Sequence, residues 1–328
     1  MDGTIYKDFL YYYNLITPIL FTTISFIFNP IVFLILTKPD FRKQSLFRYQ
    51  VVGTVTDSLN IIMIWANFYP NFFKINESET NCKFISYITQ VLTQLSLWIN
   101  VVSSIDRLLA VRMAINFKIR NELKFQALVL ITLFFVILLL NFPILHFNQI
   151  SAISYEFNNT DIIEFNISSS ALSANKVSVN TQEIDVILYS CNIDQNAHAY
   201  ISYLLALMST FIPFTLMIGT TGLIFYQLKV NKRKINQNIS DRDKKFVKNL
   251  LGLNLFYFIC YTPSVIYNIL NFLYTPSYMN ASEYIFIFVY YNLISCLIYI
   301  YMSCNFFVFF LSNKLFKKRF LLMIGCKA

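Results

Sequence analysis

Seven stretches of the chain, 9–37, 49–73, 84–105, 125–145, 199–228, 249–282 and 284–313, are free or nearly free of charged residues. Each reaches the roughly 20 residues that an α-helix needs to cross a bilayer. Composition agrees, with 56% hydrophobic, 18% aromatic and 13% charged residues, against about 45–50% apolar and about 25% charged in soluble domains. The sequence predicts an all-α, seven-transmembrane helix bundle. The sixth stretch is long enough for a helix and a turn, because "YTPSYMNASE" at 274–283 carries the Pro, Ser and Asn of a loop. The spans are set at about 10–37, 47–70, 83–111, 125–146, 199–228, 246–273 and 284–311, in a single domain of residues 1–328 that ends in a basic amphipathic helix at about 313–323.

Of the 26 Lys and Arg residues, 22 fall in 38–48, 107–124, 229–248 and 314–327. The positive-inside rule makes these segments cytoplasmic, with the N-terminus outside and the C-terminus inside. The net charge of +9 is therefore topological, spread over four membrane-flanking segments. It argues for membrane lipids and against nucleic acid as a partner. Residues 1–8 hold Asp2 and Asp8 with Lys7 as the lone cation, and the apolar run after them is long, so the first span is expected to insert as its own anchor. Sequons at Asn76, Asn158, Asn166 and Asn280 all fall outside, where they are expected to be glycosylated. Cys82 and Cys191 lie in outer segments, whereas Cys260, Cys296 and Cys304 are inside spans and Cys326 is in the tail. Only the first two face an oxidising compartment, so they are the expected disulfide.

The polar residues within the spans are spaced in a specific way. "FNPIV" gives Asn29 and "VTDSL" gives Asp57, 28 residues on; Cys82 stands 25 residues before Arg107 in the triplet Asp106-Arg107-Leu108. Then follow Pro213 in "FIPFT", Cys260 to Pro263 in "CYTP", Asn305 to Phe309 in "NFFVF", and the basic "NKLFKKRF". In this order and at these intervals, the chain resembles the rhodopsin-like (class A) G-protein-coupled receptors along essentially its whole length. It departs from their motifs at Leu108 for Tyr, Tyr261 for Trp, Phe306 for Pro and Phe309 for Tyr. Phe306 is expected to remove a proline kink from the seventh helix, and Phe309 a hydroxyl.

The resemblance implies roles for these residues. Asp57 is an acid near the middle of an apolar span, where an ionised side chain costs at least about 2.5–3.5 kcal/mol and must find partners inside the bundle. Asn29, Ser96 and Asn305 are the partners the resemblance supplies, with a sodium ion beside Asp57 as the one cofactor it implies. Asp106, Arg107 and Asp243, together with Asn305 and Phe309, form the implied switch for coupling to a heterotrimeric G protein. Asp243 stands 20 residues before Pro263, where the family often has an acid that holds the sixth helix against the third. Pro213, Tyr257 and Pro263 are the implied helix-switch residues. Thr89, Tyr261 and Tyr299 are the implied lining of the ligand cavity.

Ligand class is constrained mainly by exclusion. In the family, amine receptors carry an Asp where this chain has Thr89, and light receptors carry a retinal-binding Lys where it has Tyr299. The outer segment 146–199 holds Glu156, Asp161, Glu164, Glu183, Asp185 and Asp194 against Lys176, so it should attract cationic ligands. Within it, "KVSVNTQEIDVILYSC" reads as a hairpin ending at Cys191. His146 and His198 are read as loop residues. Peptide receptors of the family often have such a hairpin, and the end of the chain resembles invertebrate neuropeptide receptors of the FMRFamide-like kind. The expected function is thus a receptor for an extracellular neuropeptide, with a chemosensory small-molecule receptor, or a transporter or channel, as alternatives. Neither paired carboxylates nor HExxH nor a phosphate loop is found, so an enzyme is not expected.

Overall fold

A computed structural model describes residues 3–42, 45–68, 78–112, 122–157, 163–168, 186–193, 203–204, 206–234, 241–273 and 281–326. In chain order the helices are α1 (Gly3–Leu36), the short α2 (Pro39–Arg42), α3 (Ser45–Phe68), α4 (Glu79–Arg112) and α5 (Leu123–Phe147). After an outer sheet come a π-helical turn (Leu207–Phe211), α6 (Ile212–Lys234), α7 (Asp241–Leu273), α8 (Ala281–Ser303), α9 (Asn305–Ser312) and α10 (Lys314–Met323). Apart from the outer sheet, the chain adopts an all-α bundle. Among the described residues, four helices are long and apolar enough to cross a membrane, and the bent pair α8 and α9 makes a fifth if counted as one span. In α3 and α7 the apolar run is interrupted by residues such as Gln50, Asp57, Asn60 and Asn254, all of them buried.

Those residues are tolerated because every hydroxyl or amide inside a bilayer must find its partner within the protein. Many hydroxyls do so locally. Thr54, Thr56 and Ser58 each donate to the carbonyl four residues earlier, as do Thr89, Thr93 and Thr220. Such bonds let Ser and Thr sit in lipid without a neighbour. The amides, which have more to satisfy, reach between helices, and hydroxyls such as those of Ser45, Ser96 and Ser104 join them there.

The apolar core falls into three clusters. One, at the inner end, packs Val32, Leu36, Phe41, Leu253 and Phe309 against Phe316 of α10. A second, in mid-bundle, joins Leu97 and Val101 of α4 to Met217, Tyr257, Tyr261 and Tyr301. The third holds α4 against α3 and α5 through Tyr49, Tyr87, Ile99, Ile137 and Ile144. Helix α10 starts where Asn313 accepts hydrogen bonds from the backbone N–H groups of Leu315 and Phe316 at 3.0 and 3.1 Å, a side-chain cap of the usual kind. It turns Phe316 inward and leaves Lys314, Lys317, Lys318 and Arg319 exposed.

The outer segment forms a three-stranded antiparallel sheet in the order β2-β1-β3, with β1 Asn148–Phe157, β2 Ile163–Ser168 and β3 Val186–Ile193. The strand leading to Cys191 is present, but β3 pairs with β1, placing Cys191 opposite Ile150. The hairpin found is β1 with β2, and the turn expected before β3 falls in 169–185, outside the described residues. His146 is a correction as well, since it lies in the last turn of α5.

Candidate functional site

At the inner end of α4 the two neighbouring charges are bridged by a side chain from another helix. Ser45, the first residue of α3, donates from Oγ to Asp106 Oδ2 at 2.8 Å and accepts from Arg107 Nη2 at 2.8 Å. The direct Arg107–Asp106 approach is longer, 3.8 Å. Both charges are largely buried, with 13% and 5% of their side chains exposed. A buried pair of this kind is held by its geometry, and its net worth after desolvation is only a few kcal/mol. Asp243 lies in the first turn of α7, but its side chain is outside the described residues.

In mid-bundle, Asp57 of α3 is buried and accepts from two directions: the Ser96 hydroxyl of α4 on Oδ1, and the Asn305 amide of α9 on Oδ2 at 2.8 Å. Asn29 is not bonded to it, contrary to the expected Asp57–Asn29–Asn305 cluster. Its amide donates to Ser25 Oγ at 2.8 Å and, at 3.5 Å, to the Met302 carbonyl. Around this centre runs a chain of amides. Gln50 donates to Asn100, Asn100 donates to the Tyr301 hydroxyl at 2.6 Å, and Asn60 exchanges hydrogen bonds with Thr93 and donates to the Met302 sulfur.

This donor set bears on how well a sodium ion would fit. A hard cation takes oxygen lone pairs, but here Asn305 presents N–H to the carboxylate and the Tyr301 oxygen already accepts from Asn100. Met302 contributes a thioether. The Ser96 hydroxyl and the Asn305 amide take one lone pair on each carboxylate oxygen, so Asp57 is satisfied within the protein and the donor set around it is a poor fit for a sodium ion.

Phe306 stands where a proline would kink the seventh helix, yet the helix is bent by 55° between α8 and α9. The break is at Cys304, whose φ of −103° and ψ of 12° depart from helical values. Side chains hold it: Asn305 reaches to Asp57, Asn29 to the Met302 carbonyl and Ser303 Oγ to the Phe21 carbonyl. Of these, Asn29 enters the backbone ladder of the bent pair, and a side chain inserted there is a recognised cause of kinks. Freed from that role, position 306 becomes an aromatic hub, stacked on Phe28 at 4.7 Å and touching Phe316 and Phe320 of α10. Phe309 is fully buried and stacks on Phe316 at 5.5 Å.

A sequence pattern described as 7 transmembrane receptor (rhodopsin family) matches residues 29–309, the greater part of the chain. The chain belongs to this receptor family. No curated protein matches it.

Toward the outer half of the receptor, α4 and α6 are joined through a backbone defect. In the π-helical turn the N–H of Ile212 bonds the Leu207 carbonyl, five residues back. The next bond in that register would run from residue 213 to the Met208 carbonyl, but Pro213 has no N–H. Trp98 of α4 supplies it, donating from Nε1 to that carbonyl at 3.0 Å. Below it, Tyr257 stacks on Tyr261 at 4.6 Å, and both meet Tyr301 edge-on at 5.8 and 5.3 Å. The hydroxyls of Tyr257 and Tyr261 are buried without a hydrogen-bond partner among the described residues. Pro263 lies inside α7, and its carbonyl accepts from the Tyr290 hydroxyl at 3.1 Å. Of the other expected cavity residues, Thr89 is half-buried with its hydroxyl bonded to the Ile85 carbonyl, and Tyr299 packs 6.1 Å from the Phe21 ring of α1.

Cys82 is fully buried near the outer end of α4 and is disulfide-bonded, while Cys260, Cys296, Cys304 and Cys326 are in no disulfide. Asn166 lies on β2 opposite Ser154; Asn76, Asn158 and Asn280 are outside the described residues. Reading the sequence missed Ser45, Trp98, Asn100, Tyr301 and Asn254. All but the first share one signal, a group capable of hydrogen bonding inside an apolar span, beyond Asp57 and the neutral partners that the resemblance supplies.

Proposed function

We propose that this receptor binds an extracellular peptide and answers by activating a heterotrimeric G protein, through outward movement of the inner end of α7. The observation that carries the reading is the bridged cluster of Ser45, Asp106 and Arg107: a cation kept from water at the inner end of the central helix, satisfied by partners that a shift of neighbouring helices can take away. In the closed state Arg107 is held by Asp106 through Ser45, with Asp243 on α7 as its further partner. A ligand that favours the open arrangement by a comparable few kcal/mol is enough to release it. The C-terminal helix of a G protein then enters the gap.

On the outer side, a Cys82–Cys191 bond would fasten β3 to α4 and set the roof of a cavity lined by Thr89, Tyr261 and Tyr299. Six acids in 146–199 favour a cationic peptide and steer its approach. The receptor is read as one plasma-membrane domain of seven spans, glycosylated at its outer sequons. The test is a peptide-library screen read out by nucleotide exchange on a co-expressed G protein. Cationic peptides are expected among the activators, with association slowed by salt. A response confined to small apolar compounds would replace the peptide by a chemosensory ligand, and ion flux in the absence of G protein would replace the receptor reading by a channel.

A further inference from the structure

Between Gly252 and Tyr261, the middle of α7, Asn254 alone among the described side chains hydrogen-bonds to other helices. It does so twice. Its Nδ2 donates to Thr221 Oγ1 of α6 at 2.7 Å, and its Oδ1 accepts from Ser104 Oγ of α4 at 3.3 Å. Asn254 and Ser104 are buried, 2% and 0% exposed. The other described contacts of this stretch are ring and van der Waals contacts. Gly252 lies flat against α9, a side chain there having Ser312 Cβ at 3.4 Å and Val308 Cγ1 at 3.8 Å, and the hydroxyls of Tyr257 and Tyr261 have no hydrogen-bond partner among the described residues.

We propose that Asn254 is a neutral latch, a positioning residue that holds α7 closed against α4 and α6. The inference rests on the reading of α7 as the helix that opens. Apolar contacts slide with little change in energy because lipid tails are as good a solvent for them as the neighbouring helix. An amide bonded at both ends cannot move outward without breaking both bonds, and in the bilayer no water replaces them. The latch therefore sets the closed-to-open ratio, while Arg107 sets what the open state can bind. Its strength is small by design of the medium: bonds of this kind average about 0.6 kcal/mol, so losing one shifts the equilibrium about threefold and losing both about eightfold.

The test uses Asn254→Leu, close in size and without polar atoms, and Thr221→Val, which removes one bond and keeps the shape of the side chain. Ligand-free nucleotide exchange on a co-expressed G protein and the position of a fluorophore on a cysteine introduced in the first two turns of α7 are read together, at equal surface expression. The expectation is an outward shift of the fluorophore and about eightfold higher basal exchange for Asn254→Leu, about threefold for Thr221→Val, and no further gain when the two are combined. An unmoved fluorophore in both variants overturns the latch. A moved fluorophore with unchanged exchange upholds the latch and instead overturns the reading of α7 as the helix that admits the G protein. Should Asn254→Leu fail to reach the surface, Thr221→Val decides alone by the same criteria.

Discussion

Helices α4 and α5 lie side by side and are both apolar enough to cross a membrane, yet 44% of the qualifying stretch of α4 is buried and only 17% of that of α5. The more apolar helix is the less buried one. In α5 the apolar residues face lipid, with Leu128, Leu139 and Phe142 each more than half exposed, and its buried side chains include the polar Gln126 and Asn141. In α4 the buried set includes Gln94, Ser96, Ser103, Ser104 and Asp106. The lesson is that in this bundle hydropathy marks where a helix meets lipid, whereas isolated polar residues mark where it meets protein.

The sharpest way to break this contrast is at Arg107. Arg107→Ala is expected to abolish G-protein activation while ligand affinity stays at its wild-type value, measured by exchange and by binding in the same membranes. Normal signalling would mean that the polar end of α4 is packing and not mechanism. A smaller effect is expected where the two helices join. Gln94 and Asn141 exchange hydrogen bonds at 3.2 and 2.8 Å, so Asn141→Leu leaves a buried amide unpaired and should cost roughly 1–2 kcal/mol. The double variant Gln94→Leu/Asn141→Leu should recover most of it, as read from thermal unfolding of detergent-solubilised receptor. If the double variant is as unstable as the sum of the single ones, the pair is not what joins the helices. The smallest effect belongs to the lipid face. Leu139→Ala, at a side chain 73% exposed, should leave both stability and exchange within about 0.5 kcal/mol of wild type, and a larger loss there would show that α5 meets a protein partner on that face.

The same contrast explains what the sequence makes readable. The spans stand out because charge is excluded from them, and Asp57 because a carboxylate in lipid demands an account. Its partners Ser96 and Asn305 are supplied by the resemblance, which also supplies Asn29, whose amide turns instead to Ser25 and the Met302 carbonyl. Ser45 is invisible to that logic, since a serine beside a basic loop costs nothing and its role depends on where α3 begins. Asn254 and Asn100 were passed over because a neutral amide barely lowers the hydropathy of a span. Their partners depend on the rotation of each helix about its axis, which no local pattern records. Trp98 is harder still: its acceptor exists only because a π-helical turn sets Pro213 opposite the Met208 carbonyl.

The bend at Cys304 has a consequence for how permanent the shape of this receptor is. A proline kink is covalent, and no rearrangement of neighbours can undo it. Here the bend is sustained from outside the helix by Asp57, Asn29 and the Phe21 carbonyl, with Phe306 retaining its N–H and a side chain compatible with an unbroken helix. The angle is thus a property of the assembled bundle and not of the segment. Any change of state that takes Asn305 away from Asp57 also removes a cause of the bend, so the aromatic hub at Phe306 and the amphipathic helix resting on it would report, at the membrane surface, on the hydrogen bonding of a carboxylate in its interior.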